Sequence, residues 1–170
     1  MFRRSFITGL LLLLSLAAQA KELEGEVVSI ADGDTFTLLV DDVQYRVRLA
    51  GIDTPERGQP YANAARNALS DLIFRKQVRV ESRKTDRYGR IIGRVWAQPR
   101  DCSRCGKTLD VSLALLTTGM AWWYRYYADE QPEEERGQYE FAEFEAKAKR
   151  AGLWRDENAL PPWEWRAANR

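Results

Sequence analysis

The 170-residue chain contains no histidine, which excludes a Ser-His-Asp hydrolase, a histidine-ligated zinc site and any hydrolysis with an imidazole base. Its two cysteines, Cys102 and Cys105, cannot complete a tetrahedral zinc site. The two missing ligands would have to be carboxylates or belong to another chain. Charge of one sign is also lacking: the formal net charge is +1, so nothing draws the whole molecule toward nucleic acid, and any phosphate binding must come from local placement of arginines. There is no internal repeat, no low-complexity linker and no second long apolar run after the N-terminus, which leaves one domain with its own core. A hydrolase of this composition has only carboxylates, arginines, hydroxyls and a bound ion to work with.

The N-terminus pairs Arg3 and Arg4 with a leucine-rich apolar stretch at 9–16 and the small-residue ending Ala18-Gln19-Ala20 before Lys21. This is the three-region pattern of a secretory signal peptide, too short for a membrane span, with cleavage expected after Ala20. A retained N-terminal anchor is the alternative. The mature chain would be residues 21–170, exported to the periplasm or secreted. In an oxidising compartment Cys102 and Cys105 read as a short-loop disulfide rather than a zinc site. A redox-active pair fits poorly, because the surroundings look like a polar excursion after a strand rather than a βαβ setting.

From 24 to 49 the pattern is β: segments at 26–30, 35–40 and 43–49, the last two separated by Asp41-Asp42, a hairpin-type break. In the third, Val43, Tyr45, Val47 and Leu49 alternate with Gln44, Arg46 and Arg48, so both arginines share the face opposite the apolar residues. Ala62, Ala65, Leu69, Leu72 and Ile73 follow helical spacing, Val78-Arg79-Val80 opens another strand, a fifth is expected at 91–96, and a short helix at 110–118 is capped by Asp110 and stopped by Gly119. The last helix should begin at Pro132, with Glu133, Glu134 and Glu135 in its first turn and Phe141, Phe144, Ala148 and Ala151 as its buried stripe. This order suits a five-stranded Greek-key barrel of the OB type with about three helices, an α+β fold.

Three polar segments carry the chemistry: Asp32-Gly33-Asp34-Thr35, Arg48 with Asp53-Thr54-Pro55-Glu56, and Thr85-Asp86-Arg87-Tyr88-Gly89-Arg90. Asp34 follows a glycine turn and Asp53 begins a turn closed by Pro55, which predicts loop rather than core positions for both. With the main-chain oxygen of Thr54 they offer the ligands a hard cation prefers; taken singly, each is also an ordinary turn sequence. Glu56, three residues after Asp53, is placed to take a proton from a water beside such a cation, or else to cap the following helix. Arg48 and Arg90 can each give bidentate hydrogen bonds to a phosphate, although a solvated strand face also accounts for a lone arginine.

These three segments, in this order and spacing, resemble the signatures of the staphylococcal-nuclease (thermonuclease) family over about residues 24–155. The resemblance implies an OB barrel with helices and Ca²⁺-dependent hydrolysis of DNA and RNA at the 5′ P–O bond, leaving 3′-phosphates. By motif it assigns Asp34, Asp53 and Thr54 to one Ca²⁺ ion, leaving open a replacement by other divalent ions. Glu56 would prepare the water, Arg48 and Arg90 would hold the phosphate, and Asp32 would support the metal ligands. The segment at 57–61 is shorter than the family's founding loop, and the cysteine-bearing insertion at 99–107 is a second departure.

Tyr88, Tyr124 and Tyr127 are candidates for stacking on a nucleotide base, within a cluster Trp122-Trp123-Tyr124-Arg125-Tyr126-Tyr127 that core packing must partly claim. Trp163 and Trp165, beyond Pro161-Pro162, are expected to pin the tail to the domain. The expected partner is DNA or RNA, single-stranded by preference, bound by a monomer with no membrane association after signal cleavage. The alternative is a non-catalytic OB module that binds single strands, and a more distant one is an envelope interaction protein built on the cysteine loop and tail.

Overall fold

The computed structural model describes residues 21–169; the signal peptide expected at 1–20 lies outside the described residues. A meander comes first: β1 (Lys21–Ile30), β2 (Thr35–Val40) and β3 (Val43–Leu49). Asp41 and Asp42 join β2 to β3 with φ of 46° and 64°, the left-handed pair whose twist matches the strands it connects. The two-residue β4 (Ile52–Asp53) follows, then α1 (Ala62–Ile73), β5 (Gln77–Thr85) and β6 (Ile91–Ala97). The chain continues through β7 (Leu109–Asp110), α2 (Val111–Thr117), β8 (Trp122–Trp123), α3 (Glu133–Ala148) and α4 (Pro162–Ala168). Two 3₁₀ turns, Arg125–Glu130 and Gly152–Arg155, flank α3.

The strands are ordered β3-β2-β1-β5-β6-β7, and β3 also pairs in parallel with β6. Five strands therefore close on themselves, giving the OB-type barrel with helices, an α+β fold, and leaving the barrel strands no open edge. A bulge between Val27 and Ser29 lets β1 curve from β2 to β5. Closure pairs Arg48 with Ile92 and Leu49 with Gly93. Glycine is required there, since a Cβ would meet Val80 Cγ1 at 2.7 Å and the Glu81 carbonyl at 2.9 Å. Val27, Phe36, Leu38, Val47, Val80 and Val95 fill the barrel, with Leu69 and Ile73 of α1 and Leu115 of α2 in the same core.

β1 is longer than the apolar alternation predicts, beginning at Lys21, and the strand that opens at Val78-Arg79-Val80 runs on to Thr85. Main-chain pairing of Lys21 with Ser82 and of Thr85 with Ile91 carries them on where the side chains turn polar. The expected disulfide position is occupied by a Cys102–Cys105 bond in the excursion between β6 and β7. Asp110 caps α2, accepting from the Leu113 amide at 3.1 Å. Among the described residues no helix is long and apolar enough to cross a membrane.

The stripe expected on α3 is wrong. Phe141 and Phe144 are 61% and 65% exposed, and Ala148 also faces solvent, while Glu135, Tyr139, Ala142, Glu143 and Ala146 are buried. Two glutamates sit on the inner face because cations and amides meet them there. Glu135 pairs with Arg83 of β5 and accepts from Gln131 at 2.7 Å, with Arg94 of β6 at 3.5 Å. Glu143 accepts from the Trp123 amide at 3.1 Å and pairs with Arg125 and Lys147 at 2.9 and 3.0 Å. Ionic partners thus clamp α3 to the barrel where an apolar reading would have placed phenylalanines. Glu135→Ala should lower the unfolding free energy by about 3 kcal/mol, the low end of the range for breaking a buried pair. Urea denaturation checks this, and a loss under about 1 kcal/mol, as for surface pairs, would show that the clamp contributes little.

Candidate active site

The loop between β1 and β2 is shaped by its own side chains. Asp32 Oδ1 accepts from the Asp34 amide at 3.1 Å, an Asx turn that aims Asp34 inward. Gly33 allows the loop to lie against α1 and the β4 exit, because a Cβ would fall 2.7 Å from Thr54 Oγ1 and 2.8 Å from Ala65 Cβ. Asp34 then reaches the Thr54 amide, which donates to its Oδ2 at 3.2 Å. Asp53 is not in a turn as its sequence predicted. It lies in β4, paired with Trp122 of β8, and is fully buried, because the tryptophan pair supplies a strand partner that local sequence does not reveal.

Arg48 ties these carboxylates together. From the outer face of β3 it donates Nη1 to Asp34 Oδ1 and Nη2 to Asp53 Oδ1, each at 2.6 Å. Burial opposes the charge on this guanidinium, but Asp34 and Asp53 outweigh it and hold the group above the ordinary arginine value. Burial is also the main influence on Asp53, raising it above the carboxylate range while Arg166 and Arg48 pull it down. Asp32 is pushed up from 3.8 to about 6, by burial first and the Asp34 charge second.

Barrel closure beside β6 brings the third segment to the same face. Arg90 is braced by Asp86, whose Oδ2 accepts from its Nε at 2.8 Å while Oδ1 accepts from the amides of Tyr88 and Arg90, both at 2.9 Å. Arg48, Glu56, Arg90, Tyr88, Tyr124 and Tyr127 all line one cavity of about 730 Å³, together with Arg83, Lys84 and Arg87. Tyr88 is 68% exposed and Tyr127 has Lys84 over its ring. Trp122 and Trp123 are claimed by β8 and the core.

One residue of this site escaped sequence reasoning. Arg166 of α4 donates Nη2 to Asp53 Oδ2 at 2.8 Å, Nη1 to Asp53 Oδ1 at 3.3 Å and Nη1 to Glu56 Oε1 at 2.5 Å. It lies 113 positions from Asp53 in the chain. The only local hint is an arginine in a short tryptophan-bearing segment after two prolines. Trp163 does pin the tail, stacking on Tyr124 with centroids 5.4 Å apart and planes 14° off parallel.

Among the described residues no group of three or more acidic or cysteine side chains is gathered around one point as a ready metal cage. The donors that do meet, Asp34 and Asp53, are oxygen ligands brought onto one guanidinium, and both cysteines are spent on each other. That chemistry fits a hard cation that keeps several waters.

A family model described as Staphylococcal nuclease homologue matches residues 46–156, a span that includes Arg48, Asp53, Thr54, Glu56 and Arg90. The chain is 42% identical over 167 residues to micrococcal nuclease of Shigella flexneri, covering 98% of this chain and 93% of that protein. It is 46% identical over 146 residues to the protein ParB of Escherichia coli, covering 85% and 80%. An uncharacterized endonuclease of Haemophilus influenzae is 35% identical over 167 residues, covering 96% and 85%.

Asp32 makes stability fall with pH. Its folded value, about 6, lies above its ordinary 3.8, so the native state binds the extra proton, and this contribution is full below the lower value and lost as pH rises through the upper one. Asp32→Asn should therefore gain on the parent between about pH 4 and 7, measured by urea unfolding with chelator present. A wild-type-minus-variant difference independent of pH would contradict the assignment.

Proposed function

The chain belongs to the staphylococcal nuclease family and is a nuclease, and from that premise we propose Ca²⁺-dependent hydrolysis of DNA and RNA, single strands by preference, leaving 3′-phosphate and 5′-hydroxyl ends. One observation carries the reading: Arg48 bridges Asp34 and Asp53 at 2.6 Å each, on the wall of a cavity that also holds Glu56 and Arg90. A buried ion-pair network adds little net stability over apolar packing, so chemistry explains these residues better than folding does.

Asp34, Asp53 and the Thr54 carbonyl are the groups that would hold the cation. When bound, it supplies charge that offsets the phosphate and acidifies a water. Glu56 accepts a hydrogen bond from the attacking water and takes its proton as the new P–O bond forms. The pair of electrons in the opposite P–O bond leaves with the 5′ oxygen, which takes a proton from bulk water to end as a hydroxyl. Arg90, oriented by Asp86, donates to the phosphate oxygens on which charge builds. Arg48 spends one hydrogen of each terminal nitrogen on the aspartates, and its remaining N–H groups are available to the phosphate. Tyr88 and Tyr127 offer base-stacking faces on the cavity wall, worth about 1 to 3 kcal/mol per base, while Tyr124 is stacked on Trp163 and Tyr126.

Export to the periplasm or medium is part of the proposal, supported by the N-terminal pattern and the disulfide, with the protein acting as a soluble monomer. The purified protein should cut single-stranded DNA with Ca²⁺ and not with chelator, and end-mapping should find 3′-phosphates. Glu56→Gln should lower kcat on the order of 10²-fold or more. Arg90→Ala should cost about 10²-fold in kcat, with Asp86→Ala losing less because it only loosens the guanidinium. Binding without cutting under every divalent ion would instead make this a single-strand binding module.

A further inference from the structure

The tail helix α4 covers both halves of the site at once. Arg166 engages both oxygens of Asp53 and one of Glu56, the groups proposed above to hold the cation and to take the proton of the water. Three positions earlier, Trp163 lies face to face with Tyr124, a ring that also stacks on Tyr126 with centroids 6.2 Å apart. A third contact holds the approach to the helix: Gln59 Nε2 donates to the Leu160 carbonyl at 2.5 Å, while Gln59 Oε1 accepts from the Glu56 amide at 2.9 Å. Pro161 and Pro162 then start α4, with Pro162 buried, so the helix enters with a restricted direction.

We propose that α4 is a latch in which Arg166 stands as a built-in counter-cation, displaced from Asp53 and Glu56 when a divalent cation binds and carrying Trp163 off Tyr124 as it leaves. This deepens the nuclease reading and rests on it. The physical ground is competition. An arginine stays protonated at any working pH, so the contact cannot be undone by losing a proton, only by exchange for another cation. Asp53 has three of its roughly four acceptor sites taken: Arg48 holds Oδ1, and Arg166 holds Oδ2 as well as Oδ1. Arg48 is walled in with 17% of its side chain exposed, whereas Arg166 is 35% exposed on a seven-residue helix near the chain end. Arg166 is therefore the cheaper of the two to displace. The contact also keeps the carboxylates paired while no cation is present, which limits the repulsion between Asp34 and Asp53.

The latch makes a prediction about metal binding that needs no turnover. Calorimetric titration of the full-length mature protein with CaCl₂ should give about tenfold tighter binding in Arg166→Gln than in the parent, the size expected of losing one partly exposed bidentate competitor. The parent should show a tryptophan fluorescence change that saturates with the same Ca²⁺ titration and disappears in Trp163→Phe. The Ca²⁺ concentration for half-maximal cleavage should fall in Arg166→Gln by the same factor as the dissociation constant. Equal Ca²⁺ affinity in parent and Arg166→Gln would overturn the latch while leaving the nuclease site intact. A hundredfold fall in kcat at saturating Ca²⁺ would also overturn it, making Arg166 a phosphate-holding residue of the reaction. Absence of Ca²⁺ binding in both proteins would instead remove the cation from the site reading itself, and the latch with it.

Discussion

The Arg48 guanidinium, shared at 2.6 Å by Asp34 and by Asp53, is the contact on which the rest of the site depends. Two buried carboxylates held this close repel one another in a low-dielectric setting. A permanently charged fork between them offsets that repulsion and fixes both side chains in place. Each arm comes from a different stretch of chain, the first bend of the barrel and the short strand after β3. The guanidinium therefore also registers one loop against another, and with them the Thr54 amide that Asp34 accepts.

Barrel closure makes that register useful. The parallel pairing of β3 with β6 sets Arg48 beside the strand that leaves the Asp86 to Arg90 turn, so two arginines separated in sequence face one cavity. The turn is stiffened by Asp86, which spends both carboxylate oxygens on the backbone and side chain of its own loop. Outside the site the same device recurs: Glu135, Glu143 and Asp110 are buried and paired with arginine, tyrosine or amide donors from other elements. These charged joints tie α2 and α3 to β5 and β6 alongside the apolar side chains both helices contribute to the core.

The aromatics divide along the same lines. Trp122 and Trp123 extend the two-residue strand that carries Asp53, so their hydrophobic area positions a carboxylate. Tyr88 and Tyr127 remain exposed on the cavity wall, with Arg87 and Arg90 over the first ring and Lys84 over the second. A near-neutral protein thus presents a locally basic, aromatic groove, the combination that holds a nucleic-acid strand by its phosphates and base faces.

Local residue pattern by itself determined the meander, the Asp41-Asp42 hairpin, α1 and the Asp110 cap, because each rests on alternation, helical spacing or a turn residue whose preference acts within a few positions. The resemblance of three short segments to the nuclease family put Asp34, Arg48, Asp53, Thr54, Glu56 and Arg90 in one motif set. Only the tertiary structure decided that Asp53 lies in a strand, that α3 turns its phenylalanines outward and its glutamates inward, and that Arg166 reaches the centre from the far end of the chain. In each case the outcome was set by a partner remote in sequence, Trp122, Arg83 or Glu56, and a favourable ion pair or strand pairing across the fold overrode what the neighbouring residues alone would favour.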